Sequence, residues 1–120
     1  NINDTYGHDT GDAVLRELSD TIRGNLRSTD LQCRWGGEEF IVLLPDTDIE
    51  GARRFSERLL ESVRGLRIDV AQSEPLTLTV SIGIAELRNN DENLDSLVSR
   101  ADSGMYMAKR RGRDRVESAD

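Results

Sequence analysis

The sequence predicts a two-layer α+β fold, with helices on one face of a mainly antiparallel sheet. Three observations carry this. Three long segments repeat apolar residues at helical spacing. Short alternating or continuously apolar runs lie between them. Glycine, proline and polar clusters separate the two kinds of segment, in the order α β β α β β α with a further terminal strand at 115–118. At 120 residues a single domain covering 1–120, with one core, is expected.

The first helix is predicted from Thr10 to about Arg27 or Ser28. Val14, Leu15, Leu18, Ile22 and Leu26 recur at spacings of three and four, with Gly11 and Asp12 at its start. Leu31, Cys33 and Trp35 alternate with polar residues, as the inward face of a half-buried strand does. Gly36-Gly37 is a two-residue hairpin signal. "FIVLLP" reads as a strand buried on both faces and stopped by Pro45.

"TDIE" at 47–50 fits a capping box, Thr47 capping and Glu50 answering. The helix after it turns Ile49, Ala52, Phe55, Leu59 and Val63 inward. "GLRIDV" reads as a short strand and "AQSEP" as a turn. "LTLTVSIGIAE" is a long strand, with Gly83 marking a close approach to the backbone on its second face. A last helix over 94–111 turns Leu94, Leu97, Val98, Ala101, Met105 and Ala108 inward, and Gly112 ends it. Trp35 and Phe40 are expected in the core.

Composition narrows the function. The net charge of −7 argues against a nucleic-acid surface, which requires a basic footprint. Residues 109–115, "KRRGRDR", are a local exception. They serve either as helix-end charges complementing the macrodipole or as an anion site. No apolar run approaches the ~18 residues of a membrane span. No signal peptide opens the chain, and Cys33 is the only cysteine, so a reducing, cytoplasmic setting is expected.

The chemistry concentrates in "RWGGEEF", residues 34–40. A Gly-Gly turn leaves peptide N–H groups open to a phosphate oxygen, and two adjacent carboxylates suit a hard cation shared with substrate phosphates. On a strand, Glu38 and Glu39 point to opposite faces and take different roles. Two surface acids on a solvated hairpin is the plainer alternative.

This stretch resembles the signature of the GGDEF family, the bacterial diguanylate cyclases, in its GGEEF form. "NINDTYGHDTGD" at 1–12, "RSTD" at 27–30, "VSIGIA" at 80–85 and "RADSGMYMAKRRGRDRV" at 100–116 resemble other segments of that family. The resemblance spans nearly the whole chain. It implies a nucleotidyl-cyclase, palm-like fold with a ferredoxin-like core, and condensation of two GTP into cyclic di-GMP with release of pyrophosphate. Glu38 matches the position that binds metal and helps deprotonate the attacking 3′-hydroxyl, and Glu39 an additional metal position, for Mg²⁺ or Mn²⁺. Gly37 would present its backbone to phosphate. Asn3 and Asp12 match the guanine contacts, although Asp12 also suits a helix N-terminus. Lys109 and Arg113 match the phosphate-binding positions.

Arg27, Asp30 and Arg58 match a product-inhibition site. Taken alone, Arg27 and Asp30 make an ordinary i,i+3 surface pair. The resemblance gives His8, Arg110 and Arg111 no role. It places a metal-binding aspartate, a lysine and a first strand before Asn1, so an N-terminally truncated domain, impaired by itself, is expected. It also implies a homodimer for catalysis, an upstream regulatory domain and a membrane anchor only outside this domain. A cyclic di-GMP receptor without turnover is the alternative function. A regulatory GTP-binding domain is a third.

Overall fold

The computed structural model describes residues 8–69, 74–88 and 92–119, with side chains from residue 11 onward. Its elements are α1 (His8–Gly24), β1 (Leu31–Arg34), β2 (Phe40–Leu43), α2 (Ile49–Arg64), β3 (Ser81–Ile84), α3 (Leu94–Arg110) and β4 (Arg115–Ser118). The chain forms two compact units, Asn1–Pro45 with Ser62–Leu78, and Asp46–Glu61 with Thr79–Asp120.

In the first unit α1 buries Val14, Leu18 and Ile22, one residue per turn along a single stripe. β1 and β2 pair antiparallel, from Leu31 opposite Leu43 to Arg34 opposite Phe40. The inward face expected of β1, with Leu31, Cys33 and Trp35, is not buried; Gln32 alone in the strand is half-buried. Gln32 points inward and donates Nε2 to the carbonyl and hydroxyl oxygens of Ser19 on α1. Leu31 and Trp35 are 61% and 60% exposed, so Trp35 is no core residue. A period of two fixes which residues share a face, and here the hydrogen bonds from the Gln32 amide to Ser19 of α1 turn that residue inward.

β2 is half-buried along its length, Phe40 included, where burial on both faces was expected. Among the described strands it pairs only with β1. Among the described residues the strands expected at 65–70 and from Leu76 meet in one antiparallel bridge, Ile68 with Leu76, and the regular ladder starts at Ser81.

The second unit is built on a parallel pair, β3 with β4, in register from Ser81 opposite Arg115 to Ile84 opposite Ser118. A Cβ on Gly83 would lie 1.9 Å from the Ala101 carbonyl oxygen and 2.2 Å from the Met105 nitrogen. One on Gly104 would lie 2.6 Å from the Glu117 carbonyl oxygen. The backbone of α3 therefore rests directly on both strands, the close approach that Gly83 signalled. Leu60, Ile84 and Val116 form the core, with Ile49, Ala52, Val80 and Ile82 packed against it. Leu94, expected inward, is exposed, because the helix meets the sheet two turns later, at Ala101–Met105.

The cap of α2 is Asp48 rather than Thr47, its Oδ1 accepting the Gly51 N–H at 2.8 Å. The Glu86 carboxylate accepts a further N–H of this helix start, from Ile49. Asn93 caps α3 through Ser96. Ahead of that cap, Arg100 and Glu92 form a two-pronged ion pair, Nε to Oε2 at 2.7 Å and Nη2 to Oε1 at 2.6 Å. The hydrogen bonds from the Arg100 side chain, then the Arg88 backbone N–H, hold the Glu92 carboxyl down to about 2 from 4.5. No described helix is long and apolar enough to cross a membrane.

Candidate active site

β1 and β2 are joined by residues 35–39. The Trp35 N–H donates to the Glu39 carbonyl at 2.9 Å, leaving Gly36, Gly37 and Glu38 as the loop. This is one residue longer than the expected two-residue turn, and it moves Glu38 off the strand. The two carboxylates therefore do not stand on alternate faces of a rigid strand. Both are exposed. The Glu39 carboxylate folds back, with Oε2 3.8 Å from the point where a Gly36 Cβ would stand.

A Cβ on Gly37 would meet nothing within 4 Å, and neither glycine has a left-handed φ. Local packing thus gives no reason for glycine at 36 and 37, whereas a ligand approaching the bare backbone does. Arg34 was missed by sequence reasoning. Its Nε donates to the Gly37 carbonyl at 3.1 Å and, more weakly, to that of Gly36 at 3.4 Å, and its Nη2 to Gly37 at 2.5 Å. Its place as the residue before the aromatic of "RWGG" was the available signal.

Within the same unit an open groove of about 860 Å³ runs between α1 and the hairpin. It brings Asp12 together with Arg27, Asp30 and Arg34, and Arg16 and Arg23 line it too. α1 starts at His8, which puts Asp12 in the second turn, beyond the reach of a first-turn dipole effect. Its exposed carboxylate faces a groove instead. Gln32 Oε1, in the groove lining, is buried with no partner among the described residues. Asn3 and the His8 side chain lie outside the described residues.

Arg27 and Asp30 build a tight turn. The Arg27 N–H donates to Asp30 Oδ2 at 2.7 Å, and its Nη2 donates to Asp30 Oδ1 at 3.0 Å and to the Pro45 carbonyl at 2.9 Å. The Asp30 side chain is 2% exposed and that of Arg27 57%. An ordinary surface pair would leave both in water. Here the carboxylate is structural and the guanidinium is held facing outward.

The other site candidates belong to the second unit. Lys109 lies exposed in the last turn of α3. Arg113 stands in the turn to β4 with φ 63°, between Gly112 at φ 120° and Asp114 at φ 51°. Its N–H donates to the Ala108 carbonyl at 2.8 Å. The basic cluster divides. Arg110 lies over the Tyr106 ring at 5.7 Å, and Arg111 pairs with Glu117 at 2.9 Å. Among the described residues Lys109 and Arg113 have no ion pair of their own. On α2, Arg58 lies over the buried Phe55 ring at 5.6 Å.

Among the described residues no three acidic, histidine or cysteine side chains gather as a metal-holding cluster. The pair Glu38 and Glu39 still fits Mg²⁺, which takes one or two protein carboxylates and completes its shell with water and substrate phosphates.

An open glycine turn with two exposed carboxylates, beside an arginine-lined groove, is the arrangement that the resemblance to GGDEF domains implies. Residues 1–115 match the family model described as diguanylate cyclase, GGDEF domain, and the chain belongs to that family. It is 46% identical to the response regulator PleD of Caulobacter vibrioides over 116 residues, 96% of this chain and 26% of that protein. The chain spans about a quarter of the length of the curated relatives it matches.

Among solved structures it matches diguanylate cyclase SiaD of Pseudomonas aeruginosa, in complex with its activator SiaC. That match has a TM-score of 0.88 at 46% identity, covering 95% of this chain and 43% of that one. The GGDEF domain of DgcB from Caulobacter crescentus, in complex with c-di-GMP, matches with a TM-score of 0.87 at 31% identity, covering 97% and 68%. The fold is thus the α+β GGDEF domain fold, palm-like as the sequence implied.

Proposed function

We propose that the chain is a diguanylate cyclase domain, condensing two GTP into cyclic di-GMP with release of pyrophosphate. The observation that carries this is the turn at 35–39, where two exposed carboxylates adjoin peptide groups that local packing leaves bare. Glu38 takes the proton of the attacking 3′-hydroxyl. The 3′-oxygen then bonds to the α-phosphorus of the facing GTP, in line with the bond that breaks to the β-phosphate. The Gly37 backbone is proposed to meet phosphate in the first unit, and Lys109 and Arg113 are proposed as phosphate-binding positions of the second. Asp12, with Asn3, accepts from the ring N–H and exocyclic amine of guanine, a donor pair that adenine lacks. Glu38 and Glu39 would hold Mg²⁺ or Mn²⁺, which when bound neutralises charge on the triphosphate.

Each domain supplies one GTP, so turnover requires a homodimer with the two turns face to face. Product inhibition is proposed to act through Arg27 and Asp30 of the first unit, and Arg58 of the second is proposed as a further arginine for the product. The domain works in the cytoplasm under an upstream regulatory domain. A receptor without turnover is the second reading, and it is favoured by the outward-held Arg27 guanidinium on its prebuilt turn.

The test is chromatography of the nucleotides formed from GTP and Mg²⁺ by the intact protein and its Glu38→Ala variant. Cyclic di-GMP from the parent, none from the variant and equal melting temperatures are expected. A parent that binds cyclic di-GMP yet forms none identifies the receptor instead. Normal turnover by Glu38→Ala removes the role given to that residue.

A further inference from the structure

We infer that Arg34 is a positioning residue that sets the direction of the peptide groups in the glycine turn, so that they meet an anion with N–H and not with C=O. The inference rests on the proposed placement of a GTP phosphate at Gly37. The Gly36 and Gly37 carbonyls both accept from the Arg34 guanidinium. All described peptide bonds are trans. In a planar trans peptide the C=O and the N–H of the next residue point in opposite directions. Binding these two carbonyls therefore turns the Gly37 and Glu38 N–H groups to the far side of the turn. Neither has a protein acceptor among the described residues. Two successive outward N–H groups form a small anion-binding concavity.

Glycine makes the arrangement possible and also fragile. With no Cβ, the Gly36–Gly37 and Gly37–Glu38 peptides can turn over at little steric cost. A turned-over peptide would present a carbonyl oxygen to the phosphate and repel it. Nothing else in the described turn holds these two carbonyls, since the closing bond runs from Trp35 N–H to the Glu39 carbonyl. The planar fork of the Arg34 guanidinium also suits neighbouring carbonyls better than an ammonium does. Its effect reaches the substrate through the backbone, without requiring contact with the reacting atoms.

The experiment compares the intact parent with Arg34→Ala and Arg34→Lys by three measurements. These are the backbone amide NMR order parameters at Gly37 and Glu38, the KM for GTP, and the melting temperature. Arg34→Ala is expected to lower both order parameters from about 0.85 toward about 0.6, because the freed peptides turn over, and to raise KM about tenfold, the loss of one charge-assisted hydrogen bond. The melting temperature should stay within about 2 °C, because the side chain is exposed and fills no core volume. Guanidinium ion at millimolar concentration should lower the KM of Arg34→Ala, and Arg34→Lys should fall between the two. Unchanged order parameters in Arg34→Ala overturn the clamp, whatever the activity. Lower order parameters with an unchanged KM overturn the link to substrate. A parent that turns over no GTP but shows the order-parameter difference leaves the clamp standing and refutes the proposed function instead.

Discussion

Gly83 and Gly37 are both glycines in strand-and-turn surroundings, and the structure assigns them opposite consequences on replacement by alanine. At Gly83 the new Cβ meets backbone atoms of α3 at 1.9 Å and 2.2 Å, whereas ordinary contact begins at 3.4 Å. The helix must then retreat from β3 by about 1 Å or more, because neither obstructing atom is the end of a flexible side chain. A gap of 0.5–1 Å already forfeits roughly a quarter to a half of each dispersion contact. The same movement opens the Gly104 contact on Glu117 of β4. Overpacking against side chains costs about 1–3 kcal/mol, so a clash with backbone sets a cost of at least about 3 kcal/mol.

For a domain of this size that corresponds to a melting temperature lower by roughly 10 °C or more. Gly37→Ala meets nothing within 4 Å, so its melting temperature should stay within about 2 °C of the parent while turnover falls at least tenfold. Differential scanning calorimetry of both variants, with a cyclase assay on Gly37→Ala, reads the contrast. A Gly83→Ala protein melting within a few degrees of the parent would refute the close packing of α3. An unfolded Gly37→Ala would refute the open turn.

Glu92 gives a pH signature. Its carboxyl is lowered in the folded protein, so its stabilising contribution is complete above the ordinary value of 4.5 and fades as the pH falls toward about 2. The melting-temperature gap between parent and Glu92→Gln should accordingly shrink across that window. A constant gap would show that the hydrogen bonds from Arg100 and Arg88 do not hold the Glu92 carboxyl down.

Arg113→Gly should weaken GTP binding about tenfold without lowering the melting temperature. It removes a cation and relieves a left-handed φ that costs an L residue roughly 1 kcal/mol. Titration calorimetry with a non-hydrolysable GTP analogue and a thermal melt check the two halves separately. Asp30→Ala should cost roughly 1–3 kcal/mol by removing the carboxylate that accepts from the Arg27 N–H and guanidinium, read by urea unfolding. Arg27→Ala should raise the Kd for cyclic di-GMP at least tenfold.

Much of this was visible in sequence because the chemistry lies in short contiguous stretches. Residues 27–30 and 34–40 carry their spacing within a single turn each, so no tertiary knowledge is needed to group them. Helices α1, α2 and α3 were legible because an apolar face repeats over four or more turns. The inward face of β1 was not, since Leu31, Cys33 and Trp35 alternate as a buried face would and only the amide of Gln32 overrules them. Thr47 and Asp48 are both good capping residues, and sequence alone put the helix start one position early. The Arg34 clamp and the Glu92–Arg100 pair depend on loop paths, which no periodicity records.

The two sheets also differ in how they can form. β1 and β2 are joined by a short loop, so their pairing closes locally and early. Ser81 and Arg115 are neighbours across the β3–β4 ladder yet stand roughly 34 residues apart in the chain, a separation that slows closure. Because α3 touches both strands through backbone at Gly83 and Gly104, neither strand can dock fully until the helix and the other strand are in place. During synthesis the hairpin bearing the glycine turn can therefore assemble while β3 still waits for β4 to emerge.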